Sequence, residues 1–209
     1  MTTHVHVRST LGSALALTVA FAAGSIGWAQ SSTPPLAINT ARITIAGTSN
    51  VHAYGASTTN ARVTRAKFSG APAGAGFWDD LQAPGRLEAF DLSIAAGSLV
   101  SPKGDLEENM YKALKVKEHP EITFSLTRMA GAPGALMASG TLRIAGVARE
   151  VTLPLKTTRT GNNLTVTGAL DLLMTDYGIA PPKAMLGMIK AGPGIKVTFD
   201  VLVAITATT

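Results

Sequence analysis

The sequence predicts a mainly β protein, eight antiparallel strands closing into an extended barrel with one or two short helices. Three observations lead there. Apolar residues alternate with a period of two through most of the chain, short turn-forming stretches separate the alternating runs, and helical spacing is confined to the segment before Pro120 and to residues 183–190. Closure removes exposed strand edges and leaves an interior just wide enough for packed side chains or one small ligand. Strands of about ten residues at roughly 3.3 Å each span about 33 Å, so any open interior is long and narrow and suits a chain-like apolar molecule. A β-sandwich with a packed core satisfies the same alternation.

The first 29 residues read as a secretory leader. Arg8 and two histidines precede an apolar run over residues 11–27, and Gly27 and Ala29 stand at the −3 and −1 positions before Gln30. The run is short for a spanning helix, and an uncleaved anchor is the alternative. Residues 30–38 read as a polar, proline-containing linker and 39–209 as one domain. No second apolar segment of spanning length follows, so the mature chain is expected to be exported to the periplasm or secreted, without a membrane span.

The strands follow in order. Residues 42–49 alternate through Ile43 and Ile45, and residues 62–68 change parity between Val63 and Phe68, which predicts a bulge. Residues 87–95 place Phe90, Leu92 and Ile94 on one face. Next comes a helix of about three turns carrying Leu106, Met110, Ala113 and Leu114, with Asp105 as its cap and Glu108 returning the hydrogen bond. Pro120 stops it, and Ile122, Phe124 and Leu126 then alternate as a strand to Met129. Residues 139–145 lead through a tight turn at Gly146 into Val151, Leu153 and Leu155, and the pair, 140–147 followed by 149–155, reads as a hairpin with Pro154 where its missing N–H is not needed. Residues 164–172 form the seventh strand, and Ile195, Val197, Phe199, Val201, Val203 and Ile205 the long eighth. Residues 183–190, after Pro181 and Pro182, have the spacing of a second short helix carrying Met185, Leu186, Met188 and Ile189, either core packing or an adaptable lid. Residues 70–76 and 130–135, rich in glycine, alanine and proline, read as loops.

The chemistry-bearing residues are few. The chain has no cysteine, which excludes disulfides, thiolate metal ligands and a thiol nucleophile. It contains no Gly-x-Ser-x-Gly elbow, no His-x-x-x-His pair and no phosphate-binding glycine loop. The formal net charge of +5 is scattered, with no basic run interleaved with aromatics, so nucleic acid is not an expected partner. His52 and Tyr54 share a face if residues 51–54 are extended, and fit either a ligand head group or an ordinary strand end. His119, before Pro120, belongs at the surface where helix gives way to strand.

Several segments together resemble the YceI-like family. They are residues 47–52 (GTSNVH), 113–124 from Ala-Leu-Lys to Pro-Glu-Ile-Thr-Phe, 140–147 (GTLRIAGV) with 151–153 (VTL), and 174–179 (MTDYGI). Their order is right and they cover nearly the whole mature chain. The resemblance implies a lipocalin-like eight-stranded barrel, with a helical element at one end, enclosing an apolar tunnel for an isoprenoid, an isoprenoid quinone or another amphiphilic lipid. It implies no catalytic residue and no cofactor beyond such a bound lipid. Two departures stand out: Ala53-Tyr54 replaces a tryptophan of many relatives, and residues 69–85 read as a loop peculiar to this chain.

The expected function is therefore an exported, non-enzymatic carrier of a hydrophobic or amphiphilic lipid. Parity points Ile122, Phe124, Leu126, Leu142, Ile144, Val197 and Phe199 at the tunnel, with His52 and Tyr54 as polar contacts. The alternatives are a fully packed structural or interaction module and, with the least behind it, a histidine-dependent enzyme.

Overall fold

The computed structural model describes residues 36–69, 77–83, 85–102, 104–184 and 187–205, excepting the side chains of 79, 80, 104, 105 and 184. The expected leader, the loop at 70–76, the cap at Asp105 and two residues of the expected second helix, Met185 and Leu186, lie outside this description.

Among the described residues ten strands form: β1 Leu36–Ser49, β2 Ala53–Thr58, β3 Ala61–Phe68, β4 Leu87–Ala95, β5 Glu121–Ala132, β6 Ala135–Ile144, β7 Val147–Thr160, β8 Asn163–Leu173, β9 Lys183–Ala184 and β10 Ile189–Ile205. The helices are α1 Phe77–Leu81 and α2 Gly104–Leu114, with 3-10 turns at Ala96–Ser98 and Met174–Tyr177. Nine strands follow one another in the order β2-β1-β10-β8-β7-β6-β5-β4-β3, and β9 pairs only with β10. Every pairing is antiparallel. The sheet curls so that residues of β1, β5, β6, β8 and β10 meet in one cluster. The edges β2 and β3 do not pair with each other, which makes the fold a half-barrel, and one bridge from Ser57 to Val100 covers part of the β2 edge.

The mainly β, lipocalin-like class stands, with nine strands on the path where eight were expected. The extra one is β2, whose residues are small or polar apart from Tyr54 and show no apolar alternation. β1 begins at Leu36, inside the segment read as linker, because Leu36 is buried and pairs with Ile205. The expected loop at 130–135 is instead the tip of the β5–β6 hairpin, where Gly131 and Gly134 adopt positive φ. The expected helix at 183–190 is also replaced. Lys183 pairs with Lys190 and Ala184 with Ile189 in a hairpin whose Gly187 has φ +88°, outside the α-helical range. The neighbouring β1 pairs with the continuation of this strand, Ser49 opposite Ala191, and the Asn50 N–H donates to the Lys190 carbonyl, so sheet pairing overrides helical spacing.

Bulges set which side chains face inward. Asn39 is unpaired in β1, so Leu36 and Ile38 share the inner wall with Ile43 and Ile45 despite opposite parity. Thr127 does the same in β5, carrying the inner face from Leu126 to Met129. The bulge expected in β3 lies at Thr64. Pro154 sits where pairing of β7 with β8 stops, since that ladder begins at Leu155.

α2 ends at Leu114, and Lys115, with φ 53°, reverses the chain toward Pro120. Glu108 pairs with Lys112 at 2.7 Å on the exposed face. Glu107 anchors the helix, accepting from the Ser101 N–H at 3.2 Å and the Tyr111 hydroxyl at 3.0 Å.

Candidate functional site: an apolar cavity between two helix-capped ends

Two buried clusters mark the ends of the half-barrel. At one, Phe77, Trp78 and Leu81 of α1 pack with Leu36, Leu164 and Val203. At the other, Tyr177, Met174, Leu99 and Ile144 pack with Met110, Ala113 and Leu114 of α2. A cavity of about 330 Å³ runs between them and touches residues of both clusters.

Ile122, Phe124 and Leu126 of β5, Leu142 and Ile144 of β6, and Val197 and Phe199 of β10 line this cavity, as does Tyr54 of β2. His52 does not. Residues 49–52 form a turn rather than an extended segment, because the Ser49 hydroxyl accepts from the N–H groups of Val51 and His52 and donates to the His52 carbonyl at 2.8 Å. That turn leaves His52 exposed while Tyr54 enters the wall. His119 is also outside the lining; its ring lies over Gly146, where a Cβ would collide with it.

Three of the wall's aromatic rings rest on a glycine of the adjacent strand. A Cβ at Gly47 would overlap the ring of Tyr54, one at Gly140 the ring of Phe124 and one at Gly168 the ring of Phe199. Gly47 pairs directly with Tyr54 and Gly168 with Phe199. An absent side chain on the inner face lets each ring lie along the sheet, which keeps bulk out of the lumen.

Sequence reasoning missed α1. Trp78 is 2% exposed, and Trp78, Leu81 and Gln82 line the cavity at their end. Phe68, Phe77 and Trp78 stack edge to face, with centroids 5.3 and 5.2 Å apart. Gln82 secures the helix: its Nε2 donates to the Trp78 carbonyl at 2.9 Å, and its Oε1 accepts from the Thr157 hydroxyl at 2.5 Å. The available signal was an aromatic pair directly after the glycine, alanine and proline run at 70–76.

Among the described residues, three polar hydrogens of the lining have no partner: the hydroxyls of Tyr54 and Tyr177 and the indole N–H of Trp78. Burial holds the Tyr54 phenol above its ordinary value. Burial does the same at Tyr177, with Asp176 adding to the rise and Arg149 opposing it. An apolar chamber with a few neutral donors fits a long hydrocarbon bearing a hydrogen-bond acceptor. Among the described residues no three His, Cys, Asp or Glu side chains are placed to hold a metal ion.

Comparison with known proteins agrees with this architecture. The chain is similar to the solved structure of BcnA from Burkholderia cenocepacia, at 18% identity and TM-score 0.59, over 78% of this chain and 96% of that one. It is similar to a polyisoprenoid-binding domain from Saccharophagus degradans, implicated in plant cell wall breakdown, at 12% identity and TM-score 0.61, over 83% of this chain and all of that one. A Campylobacter jejuni YceI protein aligns at 15% identity and TM-score 0.52, over 68% of this chain and 80% of that one. These identities speak for the fold alone. No curated protein matches the chain. The YceI-like domain model matches residues 36–203, from the buried start of β1 almost to the end of β10, and the chain belongs to the YceI-like family.

Proposed function

We propose that the protein is an exported carrier that holds an isoprenoid, an isoprenoid quinone or a similar amphiphilic lipid in the cavity of its half-barrel. The carrying observation is the cavity itself: about 330 Å³, walled mostly by aliphatic and aromatic side chains of β1, β2, β4, β5, β6, β7, β8 and β10 and reaching both end clusters. Such a space gains free energy with every methylene it removes from water, about 0.8 kcal/mol each. The similar Saccharophagus degradans domain, described as polyisoprenoid-binding, supports the ligand class. The apolar run over residues 11–27 and the small residues before Gln30 support export. The role needs no catalytic residue. Ile122, Phe124, Leu126, Leu142, Ile144, Val197 and Phe199 would grip the tail, and Tyr54 and Tyr177 would donate to its head.

A filled, ligand-free barrel is the competing account, and the open cavity weighs against it. Native mass spectrometry of protein purified from its own envelope, followed by organic extraction, separates the two. Release of a stoichiometric isoprenoid-type lipid is the expected result. Protein that carries none, and takes up none when incubated with isoprenoid quinone, would end the carrier reading.

A further inference from the structure

Among the described residues, the two most exposed large hydrophobic side chains are Val51, at 62%, and Met188, at 67%. They lie 137 positions apart in the sequence, yet one side chain clasps their turns together. The Asn50 amide donates to the Met188 carbonyl at 2.9 Å and accepts from the Lys190 N–H at 2.7 Å, while the Asn50 N–H donates to the Lys190 carbonyl at 3.1 Å. Lys190 pairs with Lys183 across the β9–β10 hairpin, so two exposed ammonium groups stand beside the apolar turns. Neither has a carboxylate partner among the described residues. No acidic residue occurs within 49–53, 179–184 or 187–192, and the nearest in sequence is Asp176 on the turn after β8.

This tip adjoins the cavity. The Ala191 N–H donates to the carbonyl of Pro182, a lining residue, at 3.0 Å, and the turn at 49–52 leads directly into Tyr54. We infer that the clasped turns are a docking tip for an anionic lipid bilayer, with Val51 and Met188 entering the boundary between head groups and acyl chains and Lys183 and Lys190 meeting the phosphates. Exposed apolar residues ringed by cations fit that interface, where the apolar side chains lose water and the ammonium groups keep it. Docking there puts the cavity mouth against the membrane. The inference goes beyond the carrier reading and does not depend on which lipid the cavity holds.

The test uses the chain from Gln30 onward, which contains every described strand, both helices and both core clusters. Partition is measured by co-sedimentation with phosphatidylcholine vesicles, with and without phosphatidylglycerol. The wild type binds the anionic vesicles and is released by salt. Lys183→Gln with Lys190→Gln weakens that partition by about thirtyfold, from roughly tenfold per 1.4 kcal/mol and about 1 kcal/mol per lysine. Val51→Ser with Met188→Ser weakens it further without changing thermal stability or extracted lipid. Equal partition of both variants and wild type would overturn the inference. So would a dimer in light scattering that Val51→Ser with Met188→Ser dissolves, because the tip would then bind a second copy. Extracted lipid is read separately, so loss of the carrier function and loss of docking are distinguishable.

Discussion

The two ends of the half-barrel are both capped by helices, but by different means. At the Trp78 end, the five-residue α1 turns Phe77, Trp78 and Leu81 inward, where all three are buried, and Gln82 fastens them to Thr157 and Gly134. At the Tyr177 end, the eleven-residue α2 lays an amphipathic stripe over the cluster, its Tyr111 hydroxyl donates to the Leu99 carbonyl at 2.7 Å, and the Tyr177 hydroxyl is left unpartnered. Beyond it project the exposed apolar turns and their lysines. The contrast teaches that one end is built as a plug and the other as an entrance. Packing density serves the first, while exposed apolar turns serve the second.

Trp78→Ala attacks the plug most directly. Emptying so large a buried volume is expected to cost about 3–5 kcal/mol, read as a lowered urea midpoint with little change in m-value. If the protein lost no stability, α1 would not be closing that end.

Gly168→Ala probes the wall between the ends. Its Cβ would push the Phe199 ring and also meet the Pro154 carbonyl, so a loss of about 1–3 kcal/mol is expected, together with less lipid recovered by extraction. Full lipid content in a destabilised variant would show that the ring yields outward, and the glycine's role in clearing the lumen would fall.

Gln82→Ala removes the plug's fastening and strands the Thr157 hydroxyl. A loss of about 1–2 kcal/mol in thermal or urea unfolding is expected, with hydrogen exchange rising at Gly134, whose N–H also bonds the Thr157 hydroxyl at 3.0 Å.

The entrance is the more forgiving end. Tyr177→Phe deletes an unpartnered hydroxyl and should leave stability near wild type, whereas Tyr111→Phe loses a made hydrogen bond and about 1 kcal/mol. Alkaline titration reads the same phenols. Burial raises Tyr54 and Tyr177 above the ordinary value of 10.0, so the unfolded chain gives up these protons at lower pH than the folded one. Their contribution is complete below about pH 10 and is lost as pH rises through the raised values. A double Tyr54→Phe, Tyr177→Phe variant should show a shallower alkaline loss, and an unchanged slope would assign that loss to other groups.

Legibility in the sequence followed the range of the interactions. Ile122, Phe124 and Leu126 declare a strand by their own alternation, and Pro120 declares where the helix before it must stop; both are local rules of backbone geometry. Those rules placed most of the strands, the main helix and eight of the nine proposed contact residues on the cavity wall. Tertiary structure alone decided the rest. α1 is too short to show a helical period and exists because Trp78 finds a cluster to fill. The hairpin at 183–190 exists because β1 pairs with the continuation of its second strand, which outweighs the helical spacing of its apolar residues. His52 left the wall because the Ser49 hydroxyl captured two backbone N–H groups, and the bulges at Asn39 and Thr127 turned opposite parities toward one lumen. Periodicity is written in neighbouring residues, while plugs, bulges and clasped turns depend on partners far along the chain, which only folding brings within reach.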